Sequence, residues 1–84
     1  MTEVKDLVEY LTKALVENAE EVEIEESVGA TSILIDIHVS REDVGRVIGR
    51  QGRHINAMRT LARVLGAKSG KRVSVEVVEG KAEE

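Results

Sequence analysis

Gly49 and Gly52 stand three residues apart between two apolar runs, Val47-Ile48 before them and Ile55 after, with Arg46, Arg50 and Arg53 around them. A residue without a Cβ lets the backbone take turn angles closed to other residues and lets a second backbone approach closely. If a helix begins just beyond Gly52, its unpaired N–H groups and positive dipole end make an anion site that needs no side chain. Arginines beside such a turn add charge-assisted hydrogen bonds, and Arg59 and Arg63, one helical turn apart, would extend the positive surface along the helix. Phosphate is the ligand this chemistry fits. Two glycines at this spacing would equally serve a tight helix-turn-helix that binds nothing, so their surroundings have to decide.

The formal charge of −4 argues at first against a polyanionic partner, because such binding is driven by release of counterions from neutralised phosphates. The distribution of charge points the other way. Residues 1–40 hold two Lys and ten acids, whereas residues 44–72 hold six Arg, two Lys and no acid. An asymmetry of this size steers an anionic ligand to one face; a solvated basic helix pair is the alternative for a charge run taken alone.

Other chemistries find little footing. The chain has no Cys, which excludes disulfides and thiolate zinc sites. His38 and His54 are the only histidines, and neither has a clustered carboxylate at ligand spacing, so no metal site is expected and His38 reads as a half-exposed sheet residue. Gly45, Gly49 and Gly52 are spaced four and three apart, which is not a dinucleotide fingerprint. Gly70-Lys71 is followed by Arg72 where a phosphate-binding Walker loop needs Ser or Thr. The serines are scattered and none has a base beside it, so no catalysis and no cofactor are expected.

The elements that must hold the glycine turn follow from periodicity. Eighty-four residues suffice for one compact domain and are too few for two. Val4, Leu7, Val8, Leu11, Ala14 and Leu15 form one stripe of a helix from about Thr2 to Asn18. Residues 21–28 alternate as an edge strand, Gly29-Ala30 breaks the run, and Ile33, Ile35, Ile37 and Val39 share one face of a second strand. Ser40 and Asp43 form an approximate capping box for a short helix from about Arg41 that buries Val44, Val47 and Ile48. After the glycine loop, Ile55, Met58, Leu61, Ala62 and Leu65 mark a further helix, with Gly66 as its C-terminal cap. Val73, Val75 and Val77 mark a third strand, and Gly80 to Glu84 reads as a frayed end. The reading is therefore α+β: helix, strand, strand, helix, helix, strand, a three-stranded mixed sheet covered on one face by three helices. Residues 1–80 form the domain and 81–84 a disordered tail.

The segment Val47-Ile48-Gly49-Arg50-Gln51-Gly52-Arg53-His54-Ile55, lying between two amphipathic helices, resembles the V-I-G-x-x-G-x-x-I signature of KH domains. The order of elements resembles the type II arrangement of that fold over essentially the whole chain. The longer run from Val44 to Leu61 looks like the small bacterial RNA-binding proteins of the KhpA type.

That resemblance implies a groove taking about four unpaired nucleotides, clamped by the backbone at the loop. Gly49 and Gly52 would give close approach, Arg50 and Gln51 would face phosphate, and Ile48 and Ile55 would serve the core and the groove floor. Gly45, Arg46, Arg53 and Arg59 complete the expected RNA-binding set, and His54 is expected at the groove's edge. Neither variable loop residue is acidic, so nothing there repels phosphate. Tyr10 is the lone aromatic, which excludes stacking platforms and points to weak, weakly selective binding.

The family also implies self-pairing and pairing with a larger Jag-type KH protein. The rival readings are therefore an interaction module with RNA binding secondary, or a single-stranded DNA binder. Met1 to Asp6 carries acids where a signal peptide carries bases, and no apolar run approaches the roughly 18 residues a membrane span needs; a cytoplasmic protein is expected.

Overall fold

The structure, a computed structural model, describes residues 2–80. The tail expected at 81–84 lies outside them. Helix α1 (Glu3–Leu15) begins at Thr2, whose hydroxyl accepts from the Lys5 amide at 3.0 Å, and carries Glu3 and Asp6 in its first turn, where the helix dipole favours them. It buries Val4, Val8 and Thr12 and leaves Ala14 exposed, so the apolar stripe is narrower than its sequence.

Strands β1 (Glu23–Val28) and β2 (Ser32–Val39) pair antiparallel, and β3 (Arg72–Glu79) pairs parallel to β2, giving the order β1-β2-β3. A parallel partner requires a long crossover. It is supplied by α2 (Val44–Ile48) and α3 (Arg53–Lys68), separated by a single tight turn over Arg50–Gly52. The expected mixed sheet beneath three helices is therefore what the chain forms. Ile33, Ile35, Ile37 and Val39 of β2 meet Val73 and Val75 of β3, Val4 and Val8 of α1, Val47 of α2, and Ile55, Met58 and Ala62 of α3 in one cluster. Each such side chain contributes about 1.5–3 kcal/mol on burial, so this cluster holds the helices against the sheet.

Three local expectations are corrected. The first helix stops at Leu15 rather than running to Asn18, because the Glu17 and Asn18 amides turn away to the Asp43 carboxylate at 3.2 and 3.0 Å. Gly66 is not a cap: α3 continues to Lys68, and Gly66 is buried where a Cβ would sit 2.3 Å from Val73 Cγ2. The C-cap is Ser69; Gly70 after it has φ 71°, and the Gly70 and Lys71 amides fold back onto the Ala67 and Gly66 carbonyls as in a Schellman motif. Leu61, expected in the buried stripe of α3, is 48% exposed.

Candidate nucleic-acid interface

The turn between α2 and α3 is built on positive φ. Gly49 has φ 77° and ψ 170°, a region essentially closed to other residues, and Gln51 (57°, 25°) and Gly52 (76°, 16°) are left-handed. The Gly49 amide closes α2 onto the Gly45 carbonyl at 2.8 Å, and the Gly52 amide closes the turn onto Gly49 at 3.1 Å. His54, expected at the groove's edge, instead braces the turn. Its Nδ1 donates to the Arg46 carbonyl at 2.7 Å, and a Cβ on Gly49 would lie 2.6 Å from its Cγ. Because Gly52 is the N-cap and has no side chain, the first turn of α3 has no side-chain acceptor for its amides. The positive end of a 16-residue helix thus faces out beside the loop.

A groove of about 350 Å³ runs between α3 and the edge strand β3, lined by Asn56, Arg59, Thr60 and Arg63 on one wall and Val73 to Glu76 on the other. Asn56 joins it to the loop, its Nδ2 lying 3.4 Å from where a Gly52 Cβ would be. Arg59 spans the groove, donating from Nε to the Val75 carbonyl at 3.1 Å, with Glu76 at 3.9 Å from Nη2. Arg50 and Arg53 beside the turn and Arg63 further along are exposed and have no ion pair among the described residues.

The other expected site residues divide. Gly45 is exposed, with nothing within 4 Å of a Cβ built there. Ile48 is half-buried against the core, and Ile55 is buried under the loop, where it supports rather than lines the groove. Arg46 turns to the other side of α2 and is held by the Asp43 carboxylate at 3.1 Å, the Glu42 carbonyl at 3.1 Å and Glu17 at 3.4 Å. Asn56 and Thr60 went unread in the sequence, although with Arg59 and Arg63 they make a polar stripe at spacings of three and four on α3.

Asp43 is likewise understated by the sequence. It is fully buried and collects the Glu17 and Asn18 amides, the Asn18 side chain, the Ser40 hydroxyl and Arg46, tying the end of α1 to the start of α2. Burial alone pushes its carboxyl up; the hydrogen bonds from Glu17, Asn18 and Ser40 outweigh that and hold it at about 2, below the ordinary 3.8. A depressed folded-state pKa contributes stability that is fully present above the unfolded value and is lost as pH falls through the folded one. Urea midpoints measured from pH 5 down to pH 2 should therefore fall, and Asp43→Asn should flatten that fall while lowering the midpoint at pH 7.

The KhpA/KhpB KH-domain family matches residues 5–77. The chain belongs to that family. Similar relatives include the RNA-binding protein KhpA of Caldanaerobacter subterraneus subsp. tengcongensis, 47% identical over 73 residues that cover 87% of this chain and 97% of the relative. KhpA of Clostridium perfringens is 43% identical over 74 residues, 88% of this chain and 99% of the relative, and KhpA of Aquifex aeolicus 40% over 79 residues, 94% and 100%. Among solved structures, Era in complex with MgGDPNP and nucleotides 1506–1542 of 16S ribosomal RNA matches with TM-score 0.53 and 24% identity, over 90% of this chain and 30% of the Era chain. That likeness is one of fold. In this KH domain the Gly-x-x-G loop is Gly49 to Gly52, and the groove beside it runs along α3 and β3.

Proposed function

We propose that this KH domain binds single-stranded RNA in the groove between α3 and β3, with the sugar-phosphate backbone held at the Gly49–Gly52 loop. One observation carries the reading: a turn that requires glycine, an uncapped helix N-terminus and Arg50 and Arg53, without an ion pair among the described residues, coincide in one loop that Asn56 joins to the groove, with Arg63 further along it. The KhpA relatives are named RNA-binding proteins, which supports the same reading.

Gly49 and Gly52 give the backbone its close approach, while Arg50, Gln51 and Arg53 meet phosphate. Arg59 contributes by exchanging Glu76 for the ligand. Gly45 supports a ligand-facing wall: the fold has room for a Cβ there, and a helical glycine costs about 1 kcal/mol relative to alanine. Ile48 offers apolar floor, Ile55 holds it from beneath, and Arg46 acts at longer range.

The test is fluorescence anisotropy with unstructured RNA, duplex RNA and single-stranded DNA over a series of salt concentrations. Neutralising roughly three or four phosphates predicts a log-log salt slope of about −2 to −3 for single-stranded RNA. Equal affinity for DNA would widen the ligand to single strands in general, and no single-strand binding at low salt would sink the groove reading. The domain acts by binding, without catalysis, in the cytoplasm, with residues 1–80 as one unit. No helix among the described residues is long and apolar enough to cross a membrane.

A partner-binding role alongside RNA binding is favoured by an apolar hollow between α1 and α3, lined by Leu11, Leu15, Ala57 and Leu61, with Val64, 59% exposed, on the same face of α3. Self-pairing, or pairing with a larger Jag-type KH protein, would cover it and set two weak grooves side by side.

A further inference from the structure

The second strand carries chemistry on the face away from the core. Ile33, Ile35, Ile37 and Val39 point to the helices, so Leu34, Asp36 and His38 project from the other side of the sheet. Antiparallel register sets Glu25 of β1 directly opposite Asp36, and parallel register sets Glu76 of β3 opposite Asp36 on its other flank. Like charges directly opposite one another across strands destabilise a sheet. This one therefore gathers carboxylates where they gain nothing from each other.

His38 lies among them and is 6% exposed, although alternation alone would leave it in solvent. Its Nε2 is 3.2 Å from Glu25 Oε1, and its Nδ1 is buried with no hydrogen-bond partner among the described residues. One donor atom from each of Glu25, Asp36 and His38 lies within 4.8 Å of the other two. A hydrogen bond between His38 and Glu25 accounts for one short distance. It does not account for Asp36 beside them.

We propose that Glu25, Asp36 and His38 form a binding site for a divalent transition metal of the zinc class on the open face of the sheet. One imidazole nitrogen and two carboxylate oxygens are a donor set zinc accepts, with a fourth position left to water. Bonds of 2.0–2.2 Å in tetrahedral geometry set neighbouring donor atoms about 3.3 Å apart, close to the observed approach of Nε2 to Oε1. Calcium and magnesium fit less well, since both take oxygen ligands, six or more in number. The site needs no rearrangement of backbone: Asp36 and His38 are two apart on one strand and Glu25 is fixed by register. It lies across the sheet from the helices, and a bound cation neutralises part of the acidic face there.

The experiment is isothermal titration of the untagged chain with zinc chloride, paired with thermal unfolding in zinc or magnesium and with cobalt as a visible-absorbing substitute. The expected result is a single zinc site, a rise in Tm that magnesium does not reproduce, and cobalt absorption of the intense, tetrahedral kind. His38→Asn removes the nitrogen donor but alters a buried residue. Glu25→Gln and Asp36→Asn, nearer the surface, are therefore the deciding variants, each checked for unchanged far-ultraviolet circular dichroism. Both should weaken zinc at least tenfold, while Glu9→Gln, an acid elsewhere on the surface, should leave it unchanged. Absence of any zinc heat and Tm shift in the parent overturns the proposal. So does zinc binding that survives both Glu25→Gln and Asp36→Asn, which would mean that Glu25 and His38 form a plain ion pair.

Discussion

Replacing Arg50 and Gln51 together by aspartate is expected to weaken single-stranded RNA binding about thirtyfold at low salt while leaving the fold intact. The substitution changes the loop's charge by three units beside the phosphate path. At roughly 6 Å in water each unit is worth about 0.7 kcal/mol, and three units sum to about 2 kcal/mol before salt screening. The fold should not notice: both side chains are exposed, Arg50 pairs with nothing among the described residues, and Gln51 already sits at φ 57°, a left-handed angle that aspartate tolerates well. Anisotropy on the double variant, with Lys13→Glu as a charge control on α1, separates loop chemistry from net charge. If the control loses as much as the double variant, the loop is not the clamp. If the double variant binds like the parent, the groove reading fails.

Gly49→Ala is expected to have the largest effect on stability, about 3 kcal/mol or more, equivalent to a fall in Tm on the order of 15 °C for a domain of this size. Two independent penalties meet at this residue. Its φ of 77° with ψ 170° is closed to a side chain, and the added carbon would lie 2.6 Å from His54 Cγ and 2.9 Å from the His54 backbone nitrogen. A backbone atom cannot step aside cheaply, so the turn must open and release the His54 hydrogen bond to Arg46. Gly52→Asp is the contrasting case. Its left-handed angles are open to aspartate at modest cost and its nearest neighbour, Asn56 Nδ2, is at 3.4 Å, so it should cost about 1 kcal/mol in stability and far more in RNA binding. Urea unfolding and anisotropy on both variants test the division. Equal stability losses would show that the first glycine is not the structural one.

Much of this was legible in the chain before any coordinates. The order of elements follows from local periodicity: alternate isoleucines can only make a half-buried strand, and apolar residues at spacings of three and four can only make a helix face. The mixed sheet followed from connection length, since α2 and α3 are long enough to carry the chain back to a parallel strand. The Gly-x-x-G loop and its arginines were visible because glycine demand is a local backbone property and charge is additive along the sequence.

What tertiary structure decided was which partner each polar group takes. Asp43 read as half of a capping box and became the buried acceptor that ends α1 twenty-odd residues earlier in the chain. Arg46, read as a phosphate ligand, was claimed by Asp43 and Glu17. Gly66 looked like a cap because the helix pattern faded there, whereas it is the point where β3 crosses close enough to exclude a Cβ. Asp36 stands two residues before His38 in the chain, but Glu25 reaches His38 only through strand register. Pattern along a chain reports the period of the backbone and the side that faces the core. Hydrogen bonds and ion pairs reach only about 3 Å and are made between residues far apart in sequence, so their pairing exists only once the sheet and helices have met.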